Sequence, residues 1–345
     1  MRSHLLASKS NRACALPTKL EDGSVQLIER GILVHPEELT LDWLDRMAAA
    51  QLNTLGLHPV GGPKAHEYLE AAIAAHNSPR SITLREAAAA RGIAVEYEAH
   101  AAAWLLPREL FAKEPAWFRM NAQGERTADF NLCASSREAL AYVAERTAQL
   151  AELLDTGAEK HYLWLDDVKE CSCHCPACRS LSPSDQQLRV VNAMVGGLKR
   201  RNPVAKLCYI AYHEALEVPR KTEPVDGVFL EYAPIDRNHH RPINDSDCPE
   251  NVRESRTLIE LVSFFGTQDA RVLEYWMDNS LFSKWTKPPK PFALDEETMR
   301  RDVEYYCSLG FTSITSFGCY LGPDYQALHG TPSLATYGQI LRKAG

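Results

Sequence analysis

One stretch of the chain, Tyr162-Leu-Trp-Leu-Asp-Asp-Val-Lys-Glu-Cys-Ser-Cys-His-Cys-Pro-Ala-Cys178, sets two adjacent carboxylates ahead of four thiols and an imidazole. Paired carboxylates suit acid–base chemistry. Close together, each raises the other's proton affinity, so one can stay protonated near neutrality while its neighbour ionises. Cleavage of a glycosidic bond uses that division: a carboxylic acid protonates the departing oxygen, and a second group acts as nucleophile, as base for water, or as orienter of a substrate acetamide. Asp167 is the expected acid and Asp166 its partner. Consecutive strand residues face opposite ways, so only one of the two points inward unless the strand has already ended.

The thiols carry a second chemistry. Cys171-x-Cys173-x-Cys175-x-x-Cys178 has the density of a metal-binding loop. Four ligands from eight consecutive residues would strain a tetrahedron. Cys173, Cys175 and Cys178 are therefore expected to bind, with a fourth from Cys171, which lies within the motif, from His174, or from the loop around Cys248. A closed thiolate set leaves no open position for a substrate, so the expected ion is a structural zinc and not a catalytic one. No organic cofactor is expected: neither G-x-G-x-x-G nor G-x-x-x-x-G-K-[ST] occurs. Ten cysteines without a recognisable secretion signal fit a reducing compartment, and a cytoplasmic location is expected.

Groups this far apart in the chain need elements that bring them together. Apolar, β-prone runs recur at 31–35, 53–58, 93–100, from 162 into the aspartates, and at 207–213, 227–232, 272–278 and 312–317. Helical patterns separate most of them, at 41–52, 65–91 (broken near Asn77-Ser-Pro79), 136–154, 183–201, 251–265, 295–309 and 333–343. Ser182-Pro-Ser-Asp185 opens one of these with an N-cap, a proline at the first helical position and an acid in the first turn. Eight strands joined by crossovers predict an α/β fold, a single (β/α)8 TIM barrel over 25–345 preceded by an irregular arm over 1–24.

Such a barrel builds its site from the carboxyl ends of the strands. Those ends offer His35, His58, Glu98 and His100, the aspartate pair, Tyr212 and His213, Glu231 and Tyr232, and Glu274, Tyr275 and Asp278; Trp104 lies in the long 101–134 loop. Glu231 and Glu274 are candidates for a second catalytic carboxylate, and the remaining histidines, aromatics and acids for sugar contacts. Aromatic faces stack on sugar rings, while carboxylates and imidazoles bind hydroxyls. The 345 residues are 24% charged with a formal net charge of −7, which argues against nucleic acid or an anionic membrane as partner. No apolar run is long enough to span a bilayer.

Several motifs together carry a likeness: Arg30-Gly-Ile-Leu-Val-His-Pro36, Asn53-Thr-Leu-Gly-Leu-His-Pro59, Pro115-Ala-Trp-Phe-Arg119, Asn131-Leu-Cys133, Asp166-Asp167 with Cys173-x-Cys-x-x-Cys178, and Asp247-Cys-Pro249. Over residues 30–320 the chain resembles an uncharacterised bacterial family of glycosidase-like barrels, a domain of unknown function distantly similar to α-glucuronidases and family-20 β-N-acetylhexosaminidases. The resemblance implies a TIM barrel and a carbohydrate substrate, either a hexosaminide or a uronic-acid glycoside. In the hexosaminidases an Asp-Glu pair ends the fourth strand, with Glu as acid and Asp orienting the acetamide; here that place reads Asp166-Asp167, one methylene shorter at the acid. The expected protein is a glycoside hydrolase. Its rivals are a non-catalytic carbohydrate-binding barrel, which would be stabilised by sugar without turnover, and a metal-dependent hydrolase working through the Cys/His loop.

Overall fold

The computed structural model describes residues 26–343, so the expected arm over 1–24 lies outside the described residues. Eight parallel strands close on themselves in chain order: β1 (Glu29–Val34), β2 (Thr54–Leu57), β3 (Ala94–His100), β4 (Lys160–Trp164), β5 (Lys206–Ala211), β6 (Val228–Tyr232), β7 (Arg271–Glu274) and β8 (Ser313–Phe317), with β1 paired to β8. The expected (β/α)8 barrel is present. Parallel neighbours require a crossover between them, and α-helices provide it on the outside except between β5 and β6, where the connection carries only the 3-10 turn His213–Leu216. The helix Pro183–Arg201 starts as its sequence indicates. Ser182 Oγ accepts from the Asp185 amide at 3.0 Å while the Asp185 carboxylate accepts from the Ser182 amide at 3.3 Å, a reciprocal cap.

Two helical patterns break where the backbone demands it. The run over 65–91 divides into Ala65–His76 and Pro79–Ala89, with Ser78 capping the second piece. The run over 251–265 divides into Pro249–Ser255 and Leu258–Phe265, a break the apolar pattern hides. The short helices Ala102–Leu105, Asn279–Phe282 and Pro323–His329 are likewise absent from the sequence reading.

Strand side chains alternate between the barrel interior and the helical layer. At the amino-terminal end the interior is charged: Arg271 of β7 binds Glu29 of β1, and Glu96 and Glu98 of β3. Higher up it turns apolar, with Leu33, Trp164, Ile210, Leu273, Tyr275 and Phe317 in one packed cluster. Gly56 makes room in this crowded interior, since a Cβ there would lie 2.5 Å from Leu33 and 2.9 Å from Glu98 Oε1. Among the described residues no helix is long and apolar enough to cross a membrane.

Candidate functional site

A cavity of about 450 Å³ opens above that apolar cluster, at the carboxyl ends of the strands. Seven of the expected residues line it: His35, His58, His100, Asp167, Tyr212, Tyr275 and Asp278. They come from β1, β2, β3, β4, β5 and β7 or the residues just after them, so the barrel gathers groups spread over more than two hundred positions. Trp164, Ile210, Leu273 and Phe317 form its floor, and Tyr68, Trp285 and Tyr320 stand around it.

Asp167 is held from two sides. Tyr212 donates its hydroxyl to Oδ1 at 2.9 Å, and the Gly62 amide donates to Oδ2 at 3.0 Å. That second bond depends on Gly61-Gly62. A Cβ on Gly61 would sit 2.9 Å from Asp167 Oδ2, and Gly62 has φ of 80°, the left-handed region that favours glycine. Burial pushes the Asp167 carboxyl up, but His100, the Tyr212 hydroxyl and His213 more than offset it, and the group ends below the usual aspartate value. This environment favours the ionised form, whereas the acid role expected of Asp167 needs the protonated one.

Asp278 behaves oppositely. It caps the helix Asn279–Phe282, with Oδ1 accepting from the Ser280 hydroxyl at 2.6 Å and from the Ser280 and Leu281 amides at 3.0 and 3.3 Å. These bonds favour the anion, yet burial outweighs them and pushes the carboxyl up to about 6. The cavity thus holds two carboxyl groups, from β4 and β7, whose acid strengths are displaced in opposite directions.

The three histidines share one arrangement. His35 Nδ1 lies 2.8 Å from the His58 carbonyl, His58 Nδ1 lies 2.8 Å from the Glu98 carbonyl, and His100 Nδ1 lies 2.7 Å from the Leu165 carbonyl. Each ring is therefore tied to the main chain of the next strand or of the residues just beyond it. Burial, with His35 and His100 close by, pushes His58 down to about 3, and burial lowers His35 as well.

The other expected site residues lie elsewhere, each for a geometric reason. Asp166 faces away from its neighbour: its Oδ2 accepts from Arg108 and from the Asn131 amide, both at 2.6 Å, which ties down the 101–134 loop and leaves no partnership with Asp167. Glu231 points into the barrel but beneath the floor, where Oε2 accepts from the Trp164 indole at 2.7 Å. Glu98 lies in the same buried layer, with Oε1 3.1 Å from Arg271. Glu274 is turned outward, because Arg271, Leu273 and Tyr275 take the inward positions of β7; its Oε1 accepts from Arg237 and from the Tyr306 hydroxyl, both at 2.5 Å. Tyr232 also faces the helices and donates to the Glu254 carbonyl at 3.1 Å. His213 pairs with Asp236 at 3.1 Å, lining a separate small recess beside the cysteine loop. Trp104 packs under Arg146, whose guanidinium lies 3.7 Å from the ring centre. Neither Glu231 nor Glu274 can serve the cavity as its second carboxylate.

The thiols also assemble differently from expectation. Cys133, Cys173, Cys175 and Cys178 are all buried, and their sulfur atoms lie within 4.8 Å of one another, a set that could hold a metal ion. Cys133 supplies the fourth position in place of Cys171, His174 or Cys248. Cys171 is engaged separately: its Sγ donates to the Val168 carbonyl at 2.9 Å and accepts from Asn131 Nδ2 at 2.8 Å. The Cys133 sulfur lies 3.7 Å from that of Cys175 and 3.8 Å from that of Cys178. Sulfurs bound tetrahedrally at about 2.3 Å from one ion would be about 3.8 Å apart, so the spacing fits. Sequence spacing could not reveal Cys133, which reaches the motif only because the 101–134 loop folds back onto it. Tyr68, Ser280, Trp285 and Tyr320 were missed for a similar reason, since they sit on loops and helix starts beyond the strand ends. The Gly61-Gly62 pair after His58-Pro-Val was the one local signal available.

Residues 66–280 match a family described as a domain of unknown function, DUF4838. Curated proteins give no match. Among solved structures the chain is similar to a β-galactosidase from Rahnella sp. R3, with a TM-score of 0.52 at 14% identity, covering 95% of this chain and 57% of that one. It is also similar to a tri-modular GH5 (subfamily 4) endo-β-1,4-glucanase from Bacillus licheniformis, with a TM-score of 0.52 at 10% identity, covering 92% and 59%. The chain spans less than two thirds of either neighbour, and at such identity the likeness is one of fold, a (β/α)8 barrel. The family match runs over more than half of the sequence, and the chain belongs to the DUF4838 family.

Proposed function

We propose that the protein is a glycoside hydrolase in which Asp278 is the general acid and Asp167 the ionised partner. One observation carries the reading: two carboxyl groups share a single cavity and are displaced to opposite sides of their ordinary acid strength. Pairs separated in this way divide into proton donor and anion. Asp278, protonated below about pH 6, gives its proton to the departing oxygen. Asp167 acts at the anomeric carbon, directly or through a water molecule. Tyr68 and Trp285, 45% and 62% exposed, offer faces on which a sugar ring stacks.

The acid assignment has a specific test. An Asp278→Asn variant keeps a good helix cap, so it should fold. It should lose about 10²- to 10⁴-fold on alkyl glycosides, whose leaving groups need a proton. Dinitrophenyl glycosides depart without one and should be spared most of that loss. Equal losses on both substrates would remove Asp278 from the acid role.

The four-thiol set is proposed to hold a structural zinc. Four thiolates would fill the four positions of a tetrahedral ion, leaving none for substrate. Bound there, zinc would join the 101–134 loop to the loop after β4, and those loops fix Asp166 and, through the chain, Asp167. Elemental analysis should find one zinc per chain. Cys133→Ser should lower both the zinc content and the melting temperature, while Cys171→Ser should leave the zinc in place. Retention of zinc by Cys133→Ser together with its loss from Cys171→Ser would overturn the ligand set.

A further inference from the structure

We infer that the cavity selects neutral glycosides and rejects uronic-acid glycosides, because imidazole lone pairs and carboxyl groups line it beside neutral hydroxyls, with no permanent cation among the described lining residues. The inference rests on the glycosidase reading and narrows its substrate class. It begins with the three histidines. A carbonyl oxygen only accepts, so each Nδ1 that sits 2.7–2.8 Å from one must carry the proton. In the neutral ring Nε2 is then a bare lone pair. The main chain imposes this tautomer. Among the described residues no Nε2 of the three has a protein partner, and none is among the buried polar atoms left without one, so these atoms open to the cavity.

The rings form a row, with centroids 5.8 Å apart from His35 to His58 and 6.0 Å apart from His58 to His100. That spacing does not suit a single metal ion. Among the described residues, the four cysteines are the group of ligand atoms found within 4.8 Å of one another, and the histidines are not in it. It does suit several hydroxyl groups spread over a sugar. Asp167 and Asp278 add carboxyl oxygens to the same lining.

Among the described residues no arginine or lysine lines the cavity. Lys287, whose ammonium lies 5.1 Å from the Tyr320 ring, is paired with Asp324 at 2.7 Å. A uronate carboxylate would enter with no cationic or bidentate partner, facing imidazole lone pairs and an ionised aspartate. It would lose its water without recovering equivalent bonds. A hydroxyl donates to an acceptor at little desolvation cost, and an acetamide N–H does the same.

The test is equilibrium binding to the full chain at pH 7.5, by calorimetry or ligand-observed NMR. Methyl glycosides of glucose, galactose and N-acetylglucosamine, in both anomers, are compared with those of glucuronic and galacturonic acid. At least one neutral glycoside should bind at least tenfold tighter than its acid counterpart. The discrimination should narrow at least threefold in Tyr68→Arg, which adds a cation at an exposed position on the lining. Acids that bind as tightly as the neutral forms would overturn the inference, as would discrimination unaltered in Tyr68→Arg. If only uronides are bound and hydrolysed, the glycosidase reading stands and the inference falls. If no glycoside of either class is bound or hydrolysed, both fall together.

Discussion

Asp167→Asn should lower hydrolysis of aryl glycosides by about 10³-fold, the middle of the range that a positioned acid or base supplies. The change removes the charge and keeps the shape. With its oxygen toward the Gly62 amide, the asparagine NH₂ can donate to the Tyr212 hydroxyl oxygen, so both contacts can be kept. Activity should therefore collapse in a protein that still folds and melts cooperatively. The pH profile gives a second reading of the same pair. Asp167, below the usual aspartate value of about 3.9, stays ionised at mildly acidic pH. Asp278 stays protonated until pH rises through about 6. Activity should peak between about pH 4 and 6 and decline above it as Asp278 gives up its proton. In Asp278→Asn that alkaline decline should vanish. Full activity in Asp167→Asn, or a rate still rising through pH 7, would exclude the assignment.

The barrel was legible because its signal is repeated. Eight apolar runs with crossovers between them admit few topologies, and each end fell within a few residues of the strand found. The cavity was legible only where a strand's inward position could be counted. The Glu-Tyr dipeptide shows the difficulty. In Glu96-Tyr97 and Glu231-Tyr232 the glutamate enters the barrel and the tyrosine packs outside, but in Glu274-Tyr275 the two are exchanged. The same letters serve opposite layers because parity, which depends on the pairing of each strand with its neighbours, is not written in the dipeptide. Asp166-Asp167 escaped the rule: β4 ends at Trp164, and beyond it the chain leaves the alternation, which would have turned Asp166 inward, and brings Asp167 to the cavity instead. Depth was the other hidden quantity: Glu98 and Glu231 point inward, yet both lie below the floor that Trp164 and Leu273 help to form. Asp278 could be named from sequence, but its acid strength could not, because that comes from burial beneath residues far away in the chain.

The buried layer carries the largest expected effect on stability, that of Arg271→Met. The Arg271 side chain is wholly buried. Its guanidinium lies 3.1 Å from carboxylate oxygens of Glu29 and of Glu98 and 3.1 Å from the Ser313 hydroxyl, bonds Glu96 as well, and sits 4.1 Å from the Tyr162 ring centre. Methionine would fill much of the space but leave the acids without their shared cation, which in buried clusters costs about 3–5 kcal/mol. Lys160, 2.9 Å from Glu29, would compensate only at the edge of the layer. The pH dependence fixes the cause. Burial tends to raise the Glu29 carboxyl, but Arg271 and then Lys160 hold it down to about 2, against 4.5 for a free side chain. A depressed folded value means that Glu29 stabilises the wild type above about pH 4.5 and loses that contribution as pH falls through 2. Without Arg271 the depression shrinks, so the deficit should be greatest at neutral pH and smaller at pH 4. Glu98→Gln is the contrasting case: burial and the nearby Glu231 already hold Glu98 well above the ordinary glutamate value, so an uncharged side chain of the same shape should change stability little. Urea unfolding of the three proteins at both pH values tests the set. An Arg271→Met protein as stable as wild type, or one whose deficit grows in acid, would mean that the charges beneath Trp164 do not hold up the floor on which the substrate is proposed to rest.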